Sequence, residues 1–94
     1  MRITITARHC KIPEELRARA RALLERVGKV AARPHDGRVI FAADHGEAAE
    51  EVRLHTARGK VYVGKALADD HRSAQDQAIA RVRRQLDKRP VPTR

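Results

Sequence analysis

Two stretches of this 94-residue chain carry apolar residues along a single helical face, and the sequence between them follows the alternation of strands. In the first, Leu16, Ala20, Leu23, Leu24 and Val27 recur at helical spacing, while Arg17, Arg19, Arg21 and Arg26 lie mostly off that stripe. Ile12-Pro13-Glu14-Glu15 marks its start, because proline fits the first helical turn and two carboxylates meet the positive end of the helix dipole. Gly28 frays the end, which the pattern places near Val30. In the second stretch Asp69-Asp70 supplies an N-cap, Ala74, Ala78, Ile79, Val82 and Leu86 form the stripe, and Pro90 stops the helix. A helix with one apolar face must bury it against another layer, so both predicted helices need the same side of a sheet.

The remaining segments supply that sheet. Arg2 to Arg8 alternates, with Ile3 and Ile5 on one face and Thr4 and Thr6 on the other. Residues 31–37, with Pro34 and Gly37, read as a loop into a second strand from Arg38 to Ala43. Asp44-His45-Gly46-Glu47 has turn chemistry, and Glu51 to Thr56 alternates again, forming a hairpin with the second strand. After Arg58-Gly59-Lys60, a fourth strand runs from Val61 to Leu67, and Tyr62, Gly64, Ala66 and Ala68 share a face small enough for close helix packing. The expected order is β-α-β-β-β-α. This is an α+β fold, a two-layer sandwich with a four-stranded sheet and two helices on one face. It occupies one domain over 1–89, with 90–94 as a short extended tail, because the chain is too short to build a second core.

Several function classes fall away. No apolar run approaches the roughly 18 residues that span a bilayer, and the N-terminus lacks the charged-then-apolar order of a signal peptide. A lone Cys10 forms no internal disulfide and suits a reducing compartment, so a cytoplasmic location and no membrane partner are expected. The histidines at 9, 35, 45, 55 and 71 are scattered, with no helical pair and no carboxylate spaced to orient them. His9 and Cys10 point to opposite sides of a strand end. No metal site, cofactor, catalytic residue or small-molecule substrate is therefore expected, and the chain reads as a non-enzyme.

Charge is more informative. The formal net charge is +9. Residues 1–34 hold nine Lys/Arg against three Asp/Glu, 35–70 five against seven, and 71–94 seven against two, so the excess sits at the two ends. Such an imbalance adds self-repulsion and implies a polyanionic partner. On the second helix Arg81, Arg84, Gln85 and Lys88 line up opposite the core stripe, and Arg83 and Arg89 widen that ridge. Arginine forks bond two phosphate oxygens at once, which suits the ridge to RNA. Arg8, at the end of the first strand, and Arg17, Arg21 and Lys29, on the first helix, extend the basic surface. Phe41 and Tyr62 are the only aromatic residues and read as core, so RNA would be held by phosphate contacts and shape, with steep salt dependence.

The run Ile5-Thr6-Ala7-Arg8-His9-Cys10-Lys11-Ile12-Pro13-Glu14-Glu15-Leu16-Arg17 resembles the opening of the ribosome hibernation promoting factor family, also called the ribosome-associated inhibitor or sigma-54 modulation protein family. Val52-Arg53-Leu54-His55 resembles that family's third strand, Asp69-Asp70 the acidic lead-in to its last helix, and Ala78-Ile79 with Arg81-Val82-Arg83-Arg84-Gln85-Leu86 its basic last helix. The resemblance covers nearly the whole chain. It departs at Ala7, at His71-Arg72, and at Asp87 followed by Pro90. It implies the same β-α-β-β-β-α fold and a partner in the ribosome, mainly the small subunit and its rRNA. The activity implied is silencing of translation in stress, with no second domain for self-driven ribosome dimerisation. By matching position, Arg81 and Arg84 take the family's basic helix contacts and Arg8 its basic corner. Two other readings stand beside it: a general structured-RNA-binding module, and a protein-protein regulatory domain using the open sheet face, where Val61, Val63 and Leu67 are exposed.

Overall fold

The computed structural model describes residues 1–88. In chain order the elements are β1 (Arg2–Arg8), α1 (Glu14–Gly28), β2 (Pro34–Asp44), β3 (Glu47–Thr56), a 3-10 turn (Ala57–Gly59), β4 (Val61–Ala68) and α2 (His71–Asp87). The four strands form one sheet in the order β1-β2-β3-β4, with β1 parallel to β2 and the other neighbours antiparallel. α1 is the crossover that a parallel pair requires, and short turns suffice for the antiparallel pairs. The α+β order expected from the sequence is the order observed.

Two glycines show where the helices lie. A Cβ on Gly37 of β2 would sit 2.5 Å from Cδ2 of Leu24 on α1, and one on Gly64 of β4 would overlap the Ala78 carbonyl oxygen of α2. Gly37 pairs with Leu54, and Gly64 pairs with Val52 two residues away on the same side of β3. Both helices therefore press on one face, α1 over β1 and β2, α2 over β3 and β4. Leu24, Val39, Phe41, Val52, Leu54 and Val82 fill the space between the layers and are fully buried. Each such side chain contributes about 1.5–3 kcal/mol.

Element boundaries differ from expectation in three places. Gly37 lies within β2 rather than in a loop, because Arg2 to Arg8 pairs in parallel with Asp36 to Ala42 and carries the strand back to Pro34. β3 starts at Glu47 rather than Glu51, because His45 (φ 51°) and Gly46 (φ 81°) form a two-residue turn that lets Asp44 pair directly with Glu47. Positive φ at both central residues matches the twist of a hairpin. α1 ends at Gly28, with backbone bonds from Lys29 and Val30 closing its last turn. α2 runs to Asp87, capped by Lys88; Arg89 and the expected tail 90–94 lie outside the described residues.

The two helices start differently. Asp70 caps α2 by accepting from the Ser73 amide at 2.8 Å and the Ser73 hydroxyl at 3.1 Å, which holds its carboxyl below the usual range. α1 begins at Pro13 without a side-chain cap, and its first turn closes through the Pro13 carbonyl. The seam between the helices is polar. Arg19 of α1 donates to Gln75 Oε1 at 2.5 Å and Asp76 Oδ1 at 2.6 Å, and Gln75 donates to the Leu16 carbonyl at 3.3 Å. Facing this seam from β3 is Glu50, only 2% exposed, with neither oxygen in a hydrogen bond. Burial pushes its carboxyl up to about 8, helped by the Asp76 carboxylate and against the pull of the Arg19 cation and the Gln75 side chain.

Candidate nucleic-acid interface

The basic residues anticipated from the sequence divide by element. On α2, Val82 and Leu86 turn inward, which leaves Arg83, Arg84 and Lys88 exposed. On α1, Arg17 and Arg21 stand one turn apart and line a shallow groove beside Ile5 of β1, flanked by Glu14 and Glu25. Lys29 is separate, just past the end of α1, in a hollow with Met1, Arg26 and Pro34. Among the described residues none of Arg17, Arg21, Lys29, Arg83, Arg84 or Lys88 joins an ion pair, whereas Arg19 and Arg53 do. Unpaired guanidinium and ammonium groups keep their donors available to phosphate.

Arg81 and Gln85 depart from the expected ridge. They turn toward β4, an edge strand whose outer backbone groups have no strand partner. The Gln85 carboxamide accepts from the Val63 amide at 3.1 Å and donates to the Val63 carbonyl at 2.5 Å, the two bonds a neighbouring strand would make. Arg81 donates to the Lys65 carbonyl. The helix ridge is thus narrower than spacing alone suggests, because these side chains close the sheet's edge.

Arg8 lies on the other side of the sheet. It pairs with Ala42 and points, with Thr4 and Thr6, away from the helices. There it shares an open depression of about 590 Å³ with Arg81, Lys65 and Glu51, floored by Ile40 and Leu67. The structure brings Arg8 and Arg81 together on this face but does not join Arg8 to the first helix. Of the aromatics, Phe41 is fully buried and Tyr62 packs half-buried against the core, so neither offers a base a free ring. Cys10 packs against the core and His9 is exposed; no group of three or more His, Cys, Asp or Glu among the described residues is arranged to hold a metal. No helix of the described residues is long and apolar enough to cross a membrane.

Sequence reasoning missed Glu50 and Gln75. Glu50 continues the inward series of Val52, Leu54 and Thr56, and Gln75 sits on the buried face with Ala74 and Ala78. Periodicity carried one strand turn further back finds the first, and the helical wheel finds the second.

No curated protein sequence matches this chain. Among solved structures it is similar to the N-terminal domain of Protein Y from Thermus thermophilus, with 19% identity, a TM-score of 0.79 and coverage of 94% of this chain and 98% of that one. It is equally similar to a ribosomal subunit interface protein from Coxiella burnetii, with 18% identity, a TM-score of 0.79 and coverage of 94% and 96%. At these identities the likeness establishes the fold. The family model described as sigma 54 modulation protein / S30EA ribosomal protein matches residues 3–90, which leaves outside it only the first two and last four positions of the chain. The chain belongs to the sigma 54 modulation protein / S30EA ribosomal protein family.

Proposed function

We propose that this protein is a hibernation-type factor that binds the small ribosomal subunit, contacts its rRNA through α1 and α2, and silences translation. The observation that carries the reading is the set of unpaired cations on the outward helix faces, Arg17, Arg21, Arg83, Arg84 and Lys88, in a chain of this family. Lys29 extends the set past the end of α1, Arg8 and Arg81 add cations on the open side of the sheet, and Arg89, a candidate from the sequence, lies outside the described residues. Binding of this kind is led by phosphate contacts, so affinity falls steeply with salt and shows little preference among base sequences. The site of action is the cytoplasm, where ribosomes work, and no cofactor or small-molecule substrate takes part.

Cell-free translation combined with sucrose-gradient sedimentation tests the proposal. The wild-type protein is expected to travel with the small subunit or the whole ribosome at physiological salt and to lower translation. The Arg84→Glu/Lys88→Glu variant is expected to do neither. Wild-type protein that stays at the top of the gradient at physiological salt would overturn the ribosomal reading.

A further inference from the structure

The face of the sheet left uncovered by the helices is not an ordinary solvated surface. Its cross-strand rows can be read from the register. Arg38 of β2 stands directly opposite Arg53 of β3, and Glu51 stands opposite Lys65 of β4. Like charges directly opposite in an antiparallel pair destabilise a sheet. Arg53 is held by Glu51, but Arg38 has no ion pair among the described residues. Lys65 is diagonal to Arg53 and lies 4.0 Å from Glu51, and its carbonyl receives Arg81 from α2. Arg38, Arg53, Lys65 and Arg81 therefore form a line that crosses three strands, passes the β4 edge and continues one helical turn on to Arg84. Glu51 pairs with both Arg53 and Lys65, and Asp36 shares a depression with Arg38, so Arg38 and Arg81 are the cations of the line without an ion pair among the described residues.

Two depressions lie along it. One, of about 110 Å³, is lined by Thr4, Asp36, Arg38, Arg53 and His55, with Asp36 3.7 Å from the His55 ring nitrogen. The other is the 590 Å³ hollow at Lys65 and Arg81, lined also by the Arg8 cation and the carboxylates Asp44 and Glu51.

Resting on the RNA reading above, we propose that the line from Arg38 through Arg53 and Lys65 to Arg81 is a second RNA site, which takes the phosphate backbone of a single unpaired strand continuing from α2 round the β4 edge. The course of the line selects a single strand, because a double helix is stiff over distances far longer than this domain and does not fold round a sheet edge. The one exposed ring in these depressions is the His55 imidazole, so the strand is held chiefly by its phosphates, with its riboses and bases over Ile40, Ala42, Ala49 and Leu67, and without sequence preference.

The test measures anisotropy of a short labelled oligouridylate across a salt series, using the full chain, Arg38→Glu/Arg53→Glu, and the charge-matched control Lys11→Glu/Lys60→Glu. Amide shifts on the wild type map the contact. The site predicts at least about tenfold weaker binding for the Arg38/Arg53 variant only, a salt slope lower by about 1.4, and shifts centred on β2 to β4. Equal weakening by the control, wild-type-like binding by the Arg38/Arg53 variant, or shifts confined to the helices would each overturn it. So would poly-L-glutamate binding as tightly as the oligouridylate, which would mark the face as a site for acidic protein. Ribosome sedimentation on the same samples separates the two proposals. Wild type that sediments with ribosomes but ignores oligouridylate sinks the second site alone; the reverse sinks the ribosomal reading alone.

Discussion

The two faces of the sheet are built from the same strands yet obey opposite rules. On the covered face every position is set by how closely a helix approaches: Gly37 and Gly64 are glycine because Leu24 and the Ala78 backbone occupy the space of a side chain. The carboxylate buried there, Glu50, is only 2% exposed, with the Arg19–Gln75 seam above it. On the open face the strands instead carry Arg38, Arg53, Lys65 and Arg8, and no helix restricts their size. The covered face therefore governs stability, whereas the open face is free of packing constraints, so the effects of substitutions on folding should separate along that line.

The largest effect expected is electrostatic. Because the folded state raises the Glu50 carboxyl from 4.5 to about 8, folding favours its protonated form. The contribution of this group to stability is then greatest below about pH 4.5, falls as pH rises, and levels off above about pH 8, with a total loss of up to about 5 kcal/mol. Denaturant titrations of wild type and Glu50→Gln across that range check it: the variant should lose the slope and be the more stable protein at pH 8. Parallel profiles would show that Glu50 is not the group responsible.

Next in size is Gly64→Val, which drives a branched side chain into the Ala78 backbone and should cost about 3 kcal/mol. Lys65→Val, one residue along and on the open face, should stay within about 0.5 kcal/mol in the same urea unfolding experiment. Equal losses at the two positions would break the contrast between faces. Smaller still is Gln85→Ala, which removes both bonds to Val63 for about 1–2 kcal/mol. It also bares the β4 edge, so light scattering should show self-association rising with concentration that the wild type lacks.

Much of this architecture was legible in the sequence for a simple reason. Stripes such as Leu16-Ala20-Leu24-Val27 and Ala74-Ala78-Val82-Leu86 repeat at one period, and a single apolar face leaves few ways to pack two helices. The small residues Gly64 and Ala66 correctly marked where α2 comes close. What escaped depended on partners distant in sequence. Ala48-Ala49-Glu50 fall between the expected turn and the expected strand, and only pairing with β4 and burial under the Arg19–Gln75 seam make them strand. Gln85 looked like part of a phosphate-binding ridge because spacing reports the face a side chain leaves from, not the backbone groups it can reach. Arg8 was assigned beside the helices, yet strand alternation places it on the opposite face from Ala7 and hence on the open side. The like-charged Arg38 and Arg53 emerge as neighbours only once the hairpin register is fixed.

The central claim is that the outward cations of α1 and α2 bind small-subunit rRNA, and it is tested most directly by titrating isolated small and large ribosomal subunits with wild type and Arg84→Glu/Lys88→Glu over a salt series. The account predicts preference for the small subunit, an affinity that falls linearly with the logarithm of salt, and a slope lower by about 2 in the variant. Equal binding to both subunits, or a variant indistinguishable from wild type at every salt concentration, would contradict it.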